Sequence, residues 1–144
     1  MRVLLVDDDE DDQQAFSEAL QKINPAVEVV QARDSRELFL HLERDAGFNI
    51  IFMDINLPVD DGKKCLAEIK SKDPLKHIPV IMYTVSSDEK DIEYSYNSGA
   101  HYYIVKPYAH INFIEALKRV FATDWTVTQP IPQKEHFVIN LAFT

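Results

Sequence analysis

The chain has 144 residues, enough to bury the core of one domain with ends to spare but too few for two full-sized domains. Its 46% hydrophobic and 27% charged residues exclude a disordered or disulfide-stapled class. A formal net charge of −9 argues against binding nucleic acid, which needs clustered Lys and Arg to neutralise phosphates.

The amino terminus, Met1-Arg2-Val3-Leu4-Leu5-Val6, runs straight into acids and has no secretory pattern, so a cytoplasmic protein is expected. Val3 to Val6 reads as a strand, and Ala15, Phe16, Ala19, Leu20 and Ile23 follow at helical spacing. Val27 to Val30 reads as a second strand, before a helix opened by Asp34 and Glu37 at the capping-box offset. Asn49 to Asp54 forms a third strand. Its apolar run, Ile50 to Met53, is far shorter than the roughly 20 residues of a membrane helix, so no membrane association is expected. The next helix carries Cys65, Leu66 and Ile69; the lone cysteine has no partner thiol and reads as a small apolar residue. Ile78 to Tyr83 makes a fourth strand. A weakly apolar helix follows, its start read at Ser86 with Glu89 at the capping offset. His101 to Val105 is the fifth strand and, after Lys106-Pro107, Ile111, Ile114, Leu117 and Phe121 mark the fifth helix.

Five strand-helix units in succession imply an α/β fold, a doubly wound parallel sheet with helices on both faces. Such sheets gather loops, helix amino termini and ligands at the carboxyl ends of their strands. Residues 1–124 read as this domain and 125–144 as a C-terminal tail with no output domain. Within the tail, Gln129 to Gln133 is an extended linker held by Pro130 and Pro132. The run His136 to Phe143 is read first as a strand or cover on its own domain, and second as a docking strand for a partner.

Asp7 and Asp8 follow the first strand and Asp54 closes the third, so neighbouring parallel strands would bring the three carboxylates to one edge. Clustered carboxylates need a hard cation, and Mg²⁺ fits because it accepts one or two carboxylates and keeps room for a phosphate oxygen. The acids Asp9 to Asp12 read instead as first-turn residues favoured by the helix dipole. Thr84 and Lys106 end the fourth and fifth strands, adding a hydroxyl and an ammonium that suit a phosphoryl group on Asp54. Pro107 bears on the direction of Lys106, since X–Pro bonds can be cis in tight turns.

Val6-Asp7-Asp8, Met53-Asp54-Ile55-Asn56-Leu57-Pro58, Asp61-Gly62, Thr84, Gly99-Ala100 and Lys106-Pro107 together resemble the response-regulator receiver domain over about residues 2–122. The resemblance implies a flavodoxin-like five-stranded sheet of order 2-1-3-4-5. It also implies that Asp54 accepts phosphate from a sensor histidine kinase, a histidine phosphotransfer protein or a small phosphodonor. Asp8 would bind Mg²⁺ directly, or Mn²⁺ in its place, with Asp7 acting largely through water and Asn56 offering its backbone carbonyl. Thr84 and Tyr103 would form the switch and Lys106 would pair with the phosphoryl group. The output would be contact with a downstream protein, or onward phosphotransfer, across the fourth helix, fifth strand and fifth helix, and homodimerisation stays open. Val85 is larger than the family's usual residue there and is expected to slow phosphoryl transfer or hydrolysis.

Two other classes compete. A haloacid-dehalogenase-like phosphohydrolase needs a second aspartate two residues after its nucleophile, and Asn56 at that position cannot shuttle the proton. A receiver-like module that binds partners without phosphorylation is the main alternative. Serine nucleophile elbows and glycine-rich phosphate loops are not found, and the histidines lack metal-ligand spacing.

Overall fold

A computed structural model describes residues 1–45, 47–107 and 109–139. Five strands, β1 (Arg2–Val6), β2 (Glu28–Ala32), β3 (Ile50–Met53), β4 (Val80–Thr84) and β5 (Tyr102–Val105), alternate with five helices. The helices are α1 (Glu10–Ile23), α2 (Ser35–Arg44), α3 (Gly62–Ser71), α4 (Glu89–Asn97) and α5 (His110–Phe121). All pairs are parallel, and the order 2-1-3-4-5 matches the expectation. The five-stranded reading needs one correction. A short sixth strand, β6 (Val138–Ile139), adds outside β5 in parallel, so the sheet has six strands.

The central strands β3 and β4 are buried at every position, as a sheet covered on both faces requires. Phe16, Ala19 and Leu20 of α1 and Phe113, Ala116, Leu117 and Val120 of α5 fill one face. Leu38 and Leu42 of α2 with Cys65, Leu66 and Ile69 of α3 fill the other. On the first face Phe16 meets the Phe52 ring edge-on at 4.9 Å. Ile111, read from the sequence as part of the apolar stripe of α5, is 70% exposed, because the buried stripe is centred instead on Phe113, Ala116, Leu117 and Val120.

Asp9, Asp34, Asp61 and Asp88 cap the first four helices by accepting backbone N–H groups, each contributing about 1 kcal/mol. The start read at Ser86 is therefore corrected to Asp88. The Ser86 oxygen accepts only the Asp88 N–H, at 3.3 Å, ahead of the helix, while its hydroxyl donates to Asp91 Oδ2 at 2.6 Å. Only Ser95 of α4 is buried, in line with its weakly apolar sequence.

The segment after α5 packs back on the domain. Trp125 is buried, its Nε1 donating to the Val120 carbonyl at 2.8 Å, and Phe137 has no exposed surface. Up to Ile139 the tail is thus a cover with a strand, its first reading; the remainder of that run, residues 140–143, lies outside the described residues. No described residue has a cis peptide bond, so the Lys106–Pro107 bond is trans and Lys106 is placed by strand register instead.

Candidate functional site

Strand register assembles the site. Val6 pairs with Met53, and the Asp54 N–H donates to the Val6 carbonyl at 2.9 Å, so Asp7 and Asp54 emerge side by side. Thr84 pairs with Val105, and the Lys106 N–H donates to the Thr84 carbonyl at 2.7 Å, which brings the lysine to the same edge. Asp7, Asp8 and Asp54 each present an oxygen within 4.8 Å of the others. Asp7 is fully buried, Asp54 is 6% exposed and Asp8 faces solvent.

The Lys106 ammonium lies at the centre of this group. It donates to Asp7 Oδ2 at 2.7 Å, Asp12 Oδ2 at 2.8 Å and Asp54 Oδ2 at 2.9 Å, using all three of its N–H donors. Burial opposes its charge, but the hydrogen bonds to Asp12, Asp7 and Asp54 outweigh that and raise its pKa above the ordinary lysine value. Asp7 is shifted the other way in stability terms: burial raises its pKa, only partly offset by the bonds from Lys106 and the Asp9 N–H. The Gln13 side-chain amide fixes the Asp7 carbonyl from α1.

Three carboxylates, those of Asp7, Asp12 and Asp54, thus share one ammonium, and a fourth, Asp8, lies beside Asp7 and Asp54 without contacting it. The clustered Asp7, Asp8 and Asp54 fit a divalent cation, which would supply the missing positive charge to two buried carboxylates. Asn56 donates its N–H to Asp54 Oδ1 at 3.1 Å and lines an open cleft with Asp8, Asp61 and Lys63.

Thr84 is buried, and its hydroxyl oxygen accepts the Ser86 N–H at 3.4 Å. Tyr103 is fully buried on β5, and its hydroxyl donates to the Ser86 carbonyl at 2.9 Å; burial pushes its pKa up to about 12. One loop therefore connects Thr84 to Tyr103. Tyr103 continues the connection to the tail, since its N–H donates to the Phe137 carbonyl at 3.0 Å and Phe137 packs against both Tyr103 and Tyr96. Val85, next in this loop, is 66% exposed.

Two features escaped the sequence reading. Asp12, read with its neighbours as a dipole residue, contacts Lys106, while Asp9 and Asp11 do behave as a cap and a first-turn acid. The signal was its place one turn beyond the cap, on a helix that starts at the acidic edge. The second is the Ser86–Asp91–Lys63 chain at 2.6 and 2.9 Å, which pins α4 to α3 beside the site and had no signal in residue spacing.

A doubly wound sheet with acids, a threonine and a lysine at its carboxyl edge falls in the class of signalling receivers that the resemblance implied. The chain belongs to the response regulator receiver domain family, which it matches over residues 3–118. Response regulator Rcp1 of Synechocystis sp. is 34% identical over 110 residues, covering 72% of this chain and 75% of that protein. Among solved structures, the phosphorylated cyanobacterial phytochrome response regulator RcpA superposes with a TM-score of 0.79 at 33% identity, covering 92% and 98% of the two chains. The Mn²⁺-bound form of Rcp1 gives a TM-score of 0.77 at 29% identity, covering 92% and 99%. The chain is accordingly a response regulator of two-component signalling, with an acidic cluster that fits a divalent cation. No described helix is long and apolar enough to cross a membrane.

Proposed function

We propose that Asp54 is the phosphoacceptor, taking a phosphoryl group from a sensor histidine kinase or a histidine phosphotransfer protein. The observation that carries this is the Asp54 carboxylate, held at a buried strand end with one oxygen on Lys106 at 2.9 Å and the other on the Asn56 N–H at 3.1 Å. An Asp54 oxygen attacks phosphorus to form an acyl phosphate, and the donor's leaving group takes the electron pair of the broken bond. Asp7, Asp8, Asp54 and the Asn56 backbone carbonyl would hold Mg²⁺, with Mn²⁺ as a substitute, and the ion would supply positive charge against that developing on the phosphoryl oxygens. The Mn²⁺-bound Rcp1 relative and phosphorylated RcpA support that pairing of ion and phosphate.

Lys106 stabilises the transferred group and Thr84 donates a hydrogen bond to it. Through Ser86 this motion reaches Tyr103, whose position alters the α4–β5–α5 face for a downstream protein or for onward transfer. The chain catalyses its own phosphorylation and dephosphorylation, and the exposed branched side chain of Val85 slows one of these, an effect that phosphoryl lifetimes in Val85→Ala test. In this reading residues 1–124 are the receiver, 125–144 its tail, and the protein works in the cytoplasm.

The test is intact mass after incubation with acetyl phosphate, with and without Mg²⁺, on this protein and on Asp54→Asn. A single Mg²⁺-dependent phosphoryl adduct that disappears in the variant is expected. A folded protein that takes up neither phosphate nor beryllofluoride is instead a phosphate-independent binding module.

A further inference from the structure

Lys106 has three donors and three carboxylate acceptors, so a phosphoryl group that is to receive one of its bonds must displace one of them. The three are not equal. Asp54 loses its own charge when it becomes an acyl phosphate, which changes that bond in the course of the reaction itself. The Asp7 carboxylate is buried, with side-chain exposure of 1%, so losing the lysine there leaves a desolvated charge. The Asp12 side chain is 40% exposed, so water can solvate it as soon as the ammonium turns away. Giving up Asp12 therefore costs least.

Asp12 is also the one acceptor of the three outside the cation cluster of Asp7, Asp8 and Asp54. A cation bound there would not engage Asp12, which therefore goes on competing for Lys106 when the site is loaded. Helix capping does not explain its contact. Asp9 already accepts the Asp11 and Asp12 N–H groups at 2.9 and 3.0 Å, and Glu10 and Asp11 supply first-turn charge.

We infer that Asp12 is a positioning residue that competes with the phosphoryl group for Lys106, holding the ammonium towards α1 at rest and setting how tightly the site retains a phosphoryl anion. The inference rests on the phosphoacceptor role proposed for Asp54. Neutralising Asp12 weakens its hold on one donor, from a charged to a neutral acceptor, and removes one negative charge beside the anion's seat, so both effects favour the bound anion.

The experiment measures beryllofluoride affinity at saturating Mg²⁺ by ¹⁹F NMR of the protein-bound fluoride, for the native protein, Asp12→Asn and Asp12→Glu, with Asp54→Asn as the negative control. Asp12→Asn is expected to bind beryllofluoride about two- to fivefold more tightly and to hold its phosphoryl group longer, while its Mg²⁺ affinity does not rise. Asp12→Glu, which restores the charge, returns towards the native value. A merely structural residue gives no gain of affinity on removal, and a destabilised variant cannot imitate one. Unchanged or weakened beryllofluoride binding in Asp12→Asn overturns the inference and leaves the phosphoacceptor role standing. A native protein that binds none overturns both.

Discussion

Gly62 lies directly against the backbone of Asp54: a Cβ built on it would stand 2.0 Å from the Asp54 carbonyl oxygen and 2.9 Å from Ile55 Cα. Its N–H also donates to the Ile55 carbonyl at 2.8 Å, closing the loop from β3 into α3 beside the acidic cluster. Backbone atoms cannot swing aside as a side chain can, so an added methyl must shift the strand end or the helix start. Gly62→Ala should lose about 2 kcal/mol or more of stability in urea unfolding, and Mg²⁺ affinity should fall with it because Asp54 is displaced. A variant with native stability and native Mg²⁺ affinity would show that the helix start moves freely.

The same loop holds Val59 at φ 74°, a left-handed conformation that a β-branched side chain resists. Val59 is 59% exposed, so its side chain returns little burial for that strain. Val59→Gly should therefore unfold at higher urea, by about 1 kcal/mol before the added freedom of the unfolded chain is subtracted. A lower midpoint would mean that the valine packs in a way its exposure conceals.

Lys106 is the only ammonium within reach of Asp7, Asp12 and Asp54 among the described residues. Lys106→Met keeps much of the stem and removes the charge, leaving the buried pair Asp7 and Asp54 to repel each other. In EDTA the variant should lose about 3 kcal/mol, as expected when one member of a buried ionic group is deleted. Added Mg²⁺ should then stabilise it more than it stabilises the native protein, because the cation replaces the missing charge. Equal Mg²⁺ gains in both proteins would show that ion and lysine act on separate parts of the cluster.

Much of this was legible in the residues, for physical reasons that differ by element. The strands β3 and β4 showed as short apolar runs because both of their faces are covered, and Asp7, Asp54, Thr84 and Lys106 converge because each directly ends or follows a strand of one parallel sheet. Asp12 was not legible as a partner of Lys106, since 94 residues separate them and an acid in a first helical turn has a local explanation that looks sufficient. Ser86 was misread for a related reason: a serine at a capping offset is a strong local signal, but Asp88, two residues on, takes the cap position by accepting the Lys90 N–H at 2.9 Å. The sixth strand was ambiguous because only two residues pair, and an apolar run does not reveal whether its partner strand is its own.

Phe137 joins that strand to the proposed switch. It is fully buried, its ring is 5.1 Å from Tyr96 and 6.2 Å from Tyr103, and its carbonyl accepts the Tyr103 N–H. Phe137→Ala should cost about 3 kcal/mol of tail docking. Because β6 holds β5 through two residue pairs, the segment should detach while the domain stays folded. Hydrogen exchange at the Tyr103 amide reads this directly: slow in the native protein, fast in the variant. Slow exchange in both would mean that the tail is held mainly by Trp125 and by the Tyr96 hydroxyl on the Pro132 carbonyl.

At the opposite end of the sheet, His101 ties the same tail to β5 and gives it a pH dependence. Its Nε2 bonds the Gln129 carbonyl at 3.0 Å, its ring meets Trp125 edge-on, and its Nδ1 is buried without a partner. Burial lowers its pKa below 6.5, helped by the charge of Lys70 and opposed by the bond to Gln129. The sign follows from proton counting. Below about pH 6.5 the unfolded chain binds a proton that the folded His101 refuses, so its contribution to stability is complete above that pH and is lost as pH falls through the folded value. The midpoint of unfolding, followed through the single tryptophan, should therefore drop between pH 7 and pH 5 by more in the native protein than in His101→Phe, which keeps a ring against Trp125 but cannot take the proton. Parallel pH profiles for the two proteins would assign the acid sensitivity to other groups and leave His101 a packing residue.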